Sequence, residues 1–292
     1  MRLRTKNPIP ISALITDALY KDLGPKGDIT THSIVRPDIW ARAKCFSNES
    51  GVVSGIKVAQ LVFKIGDPKI TVNAYQNDGE LVKRNDIVLE VIGPAQSILS
   101  RERVALEFLR RMSGIATKTR EFVGAVAGTG VTILDTRKTF PGYGELDKQA
   151  VRDGGGTNHR MNLSEMGLIK NNHIDLIGGD ITKAIQLFRK AYPKVFLEVE
   201  VRTKKELAEA LSQHPDRILL DNMTDIQLRK AVKTRNEYAA KTHKKVQLEA
   251  SGAMTLLRVR EVSRIGVEYI SVGELTHTVK PLDLSLHIQH ST

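Results

Sequence analysis

The stretch VFLEVEVRTKKELAEALSQHPDRILLDN, residues 195–222, decides the fold class of this sequence. Its two ends, residues 195–201 and 217–222, are short apolar runs of the kind that form strands buried on both faces. The intervening residues 203–213 carry apolar side chains at helical spacing. A strand, a helix and a second strand in this order predict a β-α-β unit with parallel strands.

The same alternation continues along the chain from residue 130. Four more apolar runs share the pattern: VTILDT (131–136), GLIKN (167–171), VQLEASG (246–252) and VEYISVG (267–273). Amphipathic helical segments separate most of these runs. A complete barrel has eight strands and about six are visible here, so the pattern predicts an incomplete β/α barrel, with an open parallel sheet as the alternative.

The residues before 130 predict a smaller mixed α/β region. The runs KITVNAYQ (69–76) and ELVKRNDIVLEVI (80–92) predict antiparallel strands around a tight turn at Asn77-Asp78-Gly79. Residues 97–128 form the longest helical pattern, which predicts a helix that is interrupted near Ser113-Gly114 and connects two domains.

Composition argues against several classes of protein. Residues 1–12 are basic without a continuous apolar segment, and no run reaches the roughly 18 apolar residues of a membrane span, so neither a secretory signal nor a membrane partner is expected. Cys45 is the only cysteine, which excludes an internal disulfide and favours a cytoplasmic location. The formal charge of +11 makes nucleic-acid binding an alternative. Because zinc-finger spacing, an aromatic RNP-like strand and a long basic helix are missing, we expect a small acidic metabolite and no nucleic acid.

Each apolar run ends in a polar residue or a glycine. These strand-end residues are Asp135, Lys170, Glu200, Asp221, Ser251, and Gly273 with Glu274. The carboxyl ends of parallel strands and the loops after them form the active-site face of barrels and open α/β sheets. We therefore expect these residues to share one pocket.

Cationic side chains are concentrated between residues 137 and 170. They are Arg137 and Lys138 after the first run, His159 and Arg160 after the Gly154-Gly155-Gly156 loop, and Lys170 at the end of the next run. Arginine binds a carboxylate through two parallel hydrogen bonds and lysine acts as a point charge, so the group predicts a ligand with more than one carboxylate. A Schiff-base aldolase with Lys138 or Lys170 as nucleophile is an alternative, which the surrounding arginines disfavour.

The other strand ends predict a phosphorylated sugar. Glu200 and Asp221 can hold Mg²⁺, bind sugar hydroxyls or favour a cationic transition state, although Asp221 could instead cap the next helix and Glu198 competes with Glu200. Glycines before helix starts, in EASGAMT (249–255) and ISVGELTHT (270–278), are typical of phosphate sites. The predicted phosphate contacts are Ser251, Gly252, Gly273 and His277. A phosphoribosyl donor and an acidic acceptor would satisfy all these features.

Over nearly its whole length the sequence resembles the quinolinate phosphoribosyltransferases. The matching motifs are DLGPKGDIT (22–30), ERVALEFLRRMSGIAT (102–117), TRKTFPG (136–142), GGGTNHR (154–160), LIKNNHI (168–174), EVEV (198–201), LLDNM (219–223), EASG (249–252) and ISVGELTH (270–277). The resemblance implies that quinolinate and phosphoribosyl pyrophosphate give nicotinate mononucleotide, pyrophosphate and CO₂ in NAD biosynthesis, with Mg²⁺ as cofactor.

The resemblance also implies roles and an organisation. The substrate-binding residues that it implies are Arg103, Thr136, Arg137, Lys138, His159, Arg160 and Lys170. The catalytic residues that it implies are Lys138, Glu200 and Asp221, and the two acids would also bind the metal ion. It implies an α/β sandwich domain (1–115) on which residues 278–292 pack back, and a barrel domain (116–277). Family members are homodimers or multiples of dimers, with Arg103 donated to the neighbouring subunit.

The sequence departs from the family pattern at several positions. An arginine that usually follows the Pro-Gly motif is missing around Gly144, and Glu107 replaces an asparagine of the interface helix. Ala253 follows Ser251-Gly252, and Glu274 stands where alanine is common. We expect these departures to affect kinetics more than the identity of the substrate.

Overall fold

The computed structural model describes residues 10–290 and divides into two compact units. The first unit ends at Thr117 and resumes at Val279, and the second spans Lys118–Thr278. Residues 1–9, which were predicted to open the first domain and to lack a signal, lie outside the described residues, as do 291 and 292. Among the helices of residues 10–290, none is long and apolar enough to cross a membrane.

The first unit is built around an antiparallel sheet. Its elements are α1 (Ile11–Leu23), α2 (Ile29–Ile34), β1 (Trp40–Ser47), β2 (Gly51–Val52), α3 (Ile56–Lys64), β3 (Thr71–Ala74), β4 (Leu81–Val82), β5 (Ile87–Pro94), the start of α4 (Ala95–Ala125), and a C-terminal strand (Leu284–His290). The sheet contains this C-terminal strand, β1, β5 and β3 in that order, and β2 pairs separately with β4. Residues 284–290 thus extend the sheet at β1.

The two runs on either side of Asn77-Asp78-Gly79 form antiparallel strands as predicted, but the tight turn between them is wrong. Strand β3 pairs with β5, whereas β4 pairs with β2. The turn residues bind elsewhere in the first unit: the Gly79 N–H donates to the carbonyl of Val53 at 2.8 Å, and Oδ1 of Asp78 accepts the N–H of Ile56 at 2.9 Å. These bonds direct the segment toward the start of α3, so a longer connection that contains β4 replaces the tight turn between the paired strands β3 and β5.

The predicted interruption near Ser113-Gly114 is also wrong, because α4 is continuous from Ala95 to Ala125. The Ser113 hydroxyl accepts the N–H of Ser54 at 3.0 Å and donates to its carbonyl at 3.2 Å. A Cβ atom at position 114 would lie 2.2 Å from the carbonyl oxygen of Lys280. The Ser-Gly pair therefore serves close packing within the first unit instead of ending the helix.

The second unit confirms the predicted incomplete barrel. After the end of α4 its elements are β6 (Thr132–Leu134), α5 (Gly144–Asp153), β7 (Gly167–Ile169), α6 (Asn171–Leu176), α7 (Ile181–Ala191), β8 (Leu197–Val201), α8 (Lys204–Ser212), β9 (Arg217–Asp221), α9 (Asp225–Thr242), β10 (Gln247–Ser251), α10 (Leu256–Val262), β11 (Tyr269–Ser271) and α11 (Glu274–His277). The C-terminal strand of the first unit, Leu284–His290, is β12. The parallel sheet has the order β6-β11-β10-β9-β8-β7.

The six predicted apolar runs all form strands of this sheet. Their interior side chains are fully buried, as Val199, Leu220, Leu248 and Ile270 show. Strand β6, the first of the six along the chain, lies at one edge of the sheet, and β7 lies at the other edge. All six carboxyl ends consequently face the same side, where the loops that follow them form a cavity.

Candidate active site

A cavity of about 510 Å³ lies at the carboxyl ends of the barrel strands. It is lined by Thr136, Arg137, Lys138, His159, Arg160, Leu168, Lys170, Glu200, Leu219, Asp221, Asn222, Glu249, Ser251, Gly252, Ala253, Met254, Thr255, Ser271, Gly273, Glu274 and His277. The structure thus brings together the residues predicted for this site in the second unit, with the exception of Asp135. Arg103 belongs to the first unit and does not line the cavity; it is exposed and pairs with Glu107 at 3.3 Å.

One wall of the cavity is cationic. Arg137, Lys138 and Lys170 are exposed, while Arg160 is 8% exposed. Nη1 of Arg160 donates to the carbonyl of Met166 at 3.1 Å, which orients the guanidinium. Burial and the nearby charge of Arg137 lower the pKa of Arg160, whose charge therefore gains most from an anionic partner. The exposed lysines lack the apolar surroundings that activate a Schiff-base lysine.

Asp135 does not line the cavity, contrary to the prediction for strand ends. It is fully buried, and its Oδ1 lies 2.5 Å from Nζ of Lys148 on α5. Its carboxylate also accepts the N–H of His159 at 2.8 Å and the amide of Asn158 at 2.6 Å. Asp135 and Lys148 therefore support the turn that carries His159 and Arg160. Helix α5 was not predicted, although its buried residues Leu146, Ala150 and Val151 stand at helical spacing.

The ring of His159 contacts two buried carboxylates. Nε2 lies 2.9 Å from Oε2 of Glu198 and 3.5 Å from Oε2 of Glu249. Burial acts against a charged ring, but the hydrogen bonds and charges of both glutamates outweigh it and raise the pKa of His159. The N–H of Arg160 points at Nδ1 at 2.8 Å and opposes a second proton there. The raised pKa favours a doubly protonated ring, but a proton on Nδ1 would face the Arg160 N–H at 2.8 Å, so this contact favours a neutral ring that donates from Nε2 and accepts at Nδ1.

Glu198 and Glu200 share a face of β8 but have different surroundings. Glu198 is fully buried and binds His159, so it does not compete with Glu200 for the cavity. Glu200 is 8% exposed and lines the cavity, where its Oε2 lies 3.6 Å from Nζ of Lys170. Its other oxygen accepts the N–H of Asn171 at 3.4 Å. Alternate residues of a strand share a face, but the one nearer the carboxyl end reaches the ligand side.

Asp221 ends β9, next to β8, and lines the cavity beside Asn222. The alternative that Asp221 caps the following helix is wrong, since Thr224 caps α9 in a capping box with Gln227. The carboxylate of Asp221 is thus left to the cavity. Glu200 and Asp221 offer hard oxygen donors, which fit Mg²⁺.

The cavity wall at β10 and β11 is lined by turns with small residues. Gly252 has φ +99°, and a Cβ atom there would lie 2.1 Å from Oδ1 of Asn222. The hydroxyl of Ser271 donates to that of Ser251 at 2.9 Å. Glu274 also faces the cavity and pairs with Lys118 at 3.0 Å. At this wall a ligand can come close to the backbone, and the one carboxylate, that of Glu274, is paired with a lysine.

Several lining residues were not predicted. They are Leu168, Leu219, Asn222, Glu249, Ala253, Met254, Thr255 and Ser271. A period of two would have found half of them, because each of Leu168, Leu219, Glu249 and Ser271 precedes a predicted residue by two positions on the same strand face. Of the others, Asn222 directly follows Asp221, and residues 253–255 follow the predicted Ser251-Gly252 pair in the loop.

Two family models match this chain. The description "Quinolinate phosphoribosyl transferase, C-terminal domain" matches residues 115–287, and the corresponding N-terminal domain matches residues 28–113. Together they cover most of both structural units.

Curated relatives and solved structures agree with these matches. The chain is 40% identical to the chloroplastic carboxylating nicotinate-nucleotide pyrophosphorylase of Oryza sativa subsp. japonica, over 95% of this chain and 77% of that protein. It is 41% identical to the mitochondrial decarboxylating quinolinate phosphoribosyltransferase 2 of Nicotiana glauca, over 93% of this chain and 80% of that protein. The crystal structure of the Ehrlichia chaffeensis nicotinate-nucleotide pyrophosphorylase superposes with a TM-score of 0.89 at 38% identity, covering 97% and 100% of the two chains.

Proposed function

The chain belongs to the quinolinate phosphoribosyltransferase family, and we propose that the cavity of its second unit is where the family's reaction takes place. The enzyme transfers a phosphoribosyl group from phosphoribosyl pyrophosphate to quinolinate and releases pyrophosphate and CO₂, which gives nicotinate mononucleotide for NAD biosynthesis. The observation that supports this site is one cavity with a cationic wall, an acidic pair and a wall of tight glycine turns.

Quinolinate binds at the cationic wall. Its two carboxylates pair with Arg137 and Arg160, each of which can form two parallel hydrogen bonds. Lys138 and Lys170 add positive charge at the same mouth of the cavity. Thr136 and His159 complete the wall. Binding both carboxylates orients the ring nitrogen toward the acidic pair, so orientation supplies much of the catalysis.

Phosphoribosyl pyrophosphate binds across the acidic pair and the glycine turns. Its 5′-phosphate is held by Ser251, Gly252, Gly273 and His277, where backbone N–H groups approach closely. Glu200 and Asp221 face the ribose and favour the positive charge that develops on it as pyrophosphate leaves. Glu200 and Asp221 would also hold Mg²⁺, which supplies positive charge for the pyrophosphate oxygens.

The reaction then follows from charge. The quinolinate nitrogen forms a bond to the ribose carbon as the bond to pyrophosphate breaks. The ring nitrogen becomes cationic and accepts the electron pair of the neighbouring carbon–carboxylate bond, so CO₂ leaves and that ring carbon takes up a proton. The arginine that is paired with the remaining carboxylate keeps the ring in place, while Lys138 supplies positive charge beside the reacting ring. Positioning and electrostatic balance carry the catalysis.

The active form is a homodimer or a multiple of dimers in the cytoplasm, in which Arg103 completes the quinolinate pocket of the neighbouring subunit. Two features support this: the Arg103 side chain is 61% exposed on α4, and its contact with Glu107 is an exposed i,i+4 pair of small energetic weight.

One assay tests the proposed function. Quinolinate, phosphoribosyl pyrophosphate and Mg²⁺ should yield CO₂ and nicotinate mononucleotide in equal amounts. Nicotinate, which lacks the second carboxylate, is the control acceptor and should give little product. Absence of product with quinolinate, or equal turnover of nicotinate, would reject the proposal.

A further inference from the structure

All four polar groups of His159 are engaged by the protein itself. The backbone N–H donates to Asp135 at 2.8 Å, and the carbonyl accepts from Nζ of Lys148 at 3.0 Å. In the ring, Nδ1 accepts the N–H of Arg160 at 2.8 Å and Nε2 lies 2.9 Å from Glu198. Although the ring lines the cavity, neither of its nitrogens is available to a ligand.

Glu198 anchors this arrangement from inside the barrel. It is fully buried on β8, beside Glu249, whose Oε2 lies 3.0 Å from Nη1 of Arg217. Arg217 lies over the ring of Tyr269, with 4.0 Å from its Cζ atom to the ring centroid. The partner of the His159 ring thus sits in a fully buried, packed layer under the cavity, which restricts its movement.

Arg160 is the residue that this layer can position. Its backbone N–H is bound to the His159 ring, and its guanidinium is bound to the carbonyl of Met166. The side chain is nearly buried yet lines the cavity. A shift of the ring would therefore move the backbone of an arginine whose use depends on bidentate geometry.

We propose that Glu198 and His159 are positioning residues that act through Arg160: Glu198 fixes the imidazole, and the imidazole holds the backbone from which Arg160 reaches one carboxylate of quinolinate. The inference rests on the proposed function. It gives His159 the task of supporting Arg160 instead of binding the substrate through a ring nitrogen.

Steady-state kinetics test the inference. Glu198→Leu should raise KM for quinolinate about tenfold and leave KM for phosphoribosyl pyrophosphate within about twofold, while Glu198→Gln, which keeps an acceptor oxygen, should recover most of the loss. In an Arg160→Gln background, Glu198→Leu should change KM for quinolinate less than about twofold. Glu90→Gln is the matched control, because Glu90 is a buried carboxylate of the first unit paired with Arg42. Equal effects of Glu198→Leu in both backgrounds, or on both substrates, would overturn the inference.

Nitrogen-15 NMR of the wild-type enzyme measures the His159 ring directly and needs a variant only to assign its signals. With histidine labelled and His159→Gln used for assignment, the ring should show a protonated Nε2 and an acceptor Nδ1 both before and after quinolinate is added. A change of tautomer, or a proton gained at Nδ1 on binding, would show direct substrate contact and reject the inference. Failure of wild-type turnover would instead reject the proposed function.

Discussion

The ammonium nitrogen of Lys148 lies 2.5 Å from Oδ1 of Asp135, and both side chains are almost completely buried beneath the turn that carries His159 and Arg160. Lys148 thus belongs to the scaffold and not to the cationic wall of the cavity, although it stands among the basic residues of that passage in the sequence. The cations of this passage thus have two roles: those of the cavity wall are proposed to bind the substrate, whereas Lys148 stabilises the structure beneath the site.

Replacing Lys148 should therefore damage stability. Lys148→Met leaves Asp135 buried without its partner, so we expect the free energy of unfolding to fall by about 3–5 kcal/mol in denaturant titrations. The double variant with Asp135→Asn should lose less than Lys148→Met alone, because no unpaired charge remains. Lys233→Met, at an exposed pair on α9, is the control and should cost about 1 kcal/mol or less. A strictly additive double variant would contradict the buried-pair explanation.

Neutralising the acidic pair should slow catalysis. Glu200→Gln and Asp221→Asn should each lower kcat by about 10²–10³-fold, because the amide cannot balance the charge that develops on the ribose. The Mg²⁺ concentration for half-maximal activity should rise in both variants. Glu209→Gln, on the solvent side of α8, is the control and should leave both quantities unchanged. Normal kcat in Asp221→Asn would remove that residue from the site.

The glycine turn after β10 should tolerate no side chain. Gly252→Ala places a Cβ atom against Asn222 at φ +99°, so we expect a loss of at least about 1 kcal/mol in the free energy of unfolding and a higher KM for phosphoribosyl pyrophosphate. Gly124→Ala is the matched control, since its Cβ meets no atom within 4 Å and it lies in a helix. That control should be stabilised by about 0.5–1 kcal/mol. Unchanged phosphate-donor kinetics in Gly252→Ala would count against the phosphate assignment.

Glu274 should weaken binding of the phosphorylated substrate. Its carboxylate faces the phosphate wall and is balanced by Lys118 at 3.0 Å. Glu274→Gln should lower KM for phosphoribosyl pyrophosphate about two- to fivefold, and Lys118→Met should raise it by a similar factor. Both effects should shrink at high salt. Glu237→Gln on α9 serves as the control, and movement of both KM values in the same direction would exclude an electrostatic cause.

Cys45 should be unreactive in the folded protein. Burial raises the pKa of its thiol to about 12, so the folded chain keeps this proton to higher pH than the unfolded chain. Stability from this group is therefore complete below about pH 9 and falls by about 1.4 kcal/mol per pH unit as pH rises toward 12. The difference in unfolding free energy between wild type and Cys45→Ala measures it. Thiol labelling at pH 8 should require unfolding, and rapid labelling of native protein would refute the prediction.

Sequence patterns predicted the fold well where burial imposes a clear period. The six apolar runs became strands because each is covered on both faces, which demands continuous apolar residues. Helix α5 was missed although Glu145 and Asp147 in its first turn favour a helix start. The Ser113-Gly114 break was predicted wrongly because a glycine can mark close packing as readily as a helix end.

The sequence alone determined the parallel sheet, the edge at which its strands end, and the cationic and acidic residues placed there, because periodicity and connection order follow from local chemistry. Only the tertiary structure decided which charged groups face the cavity. Glu200 lines it while Glu198 does not, and Arg160 lines it while Lys148 supports it from below. A strand period gives the face of a side chain but not its depth, and depth depends on which distant residues pack around it.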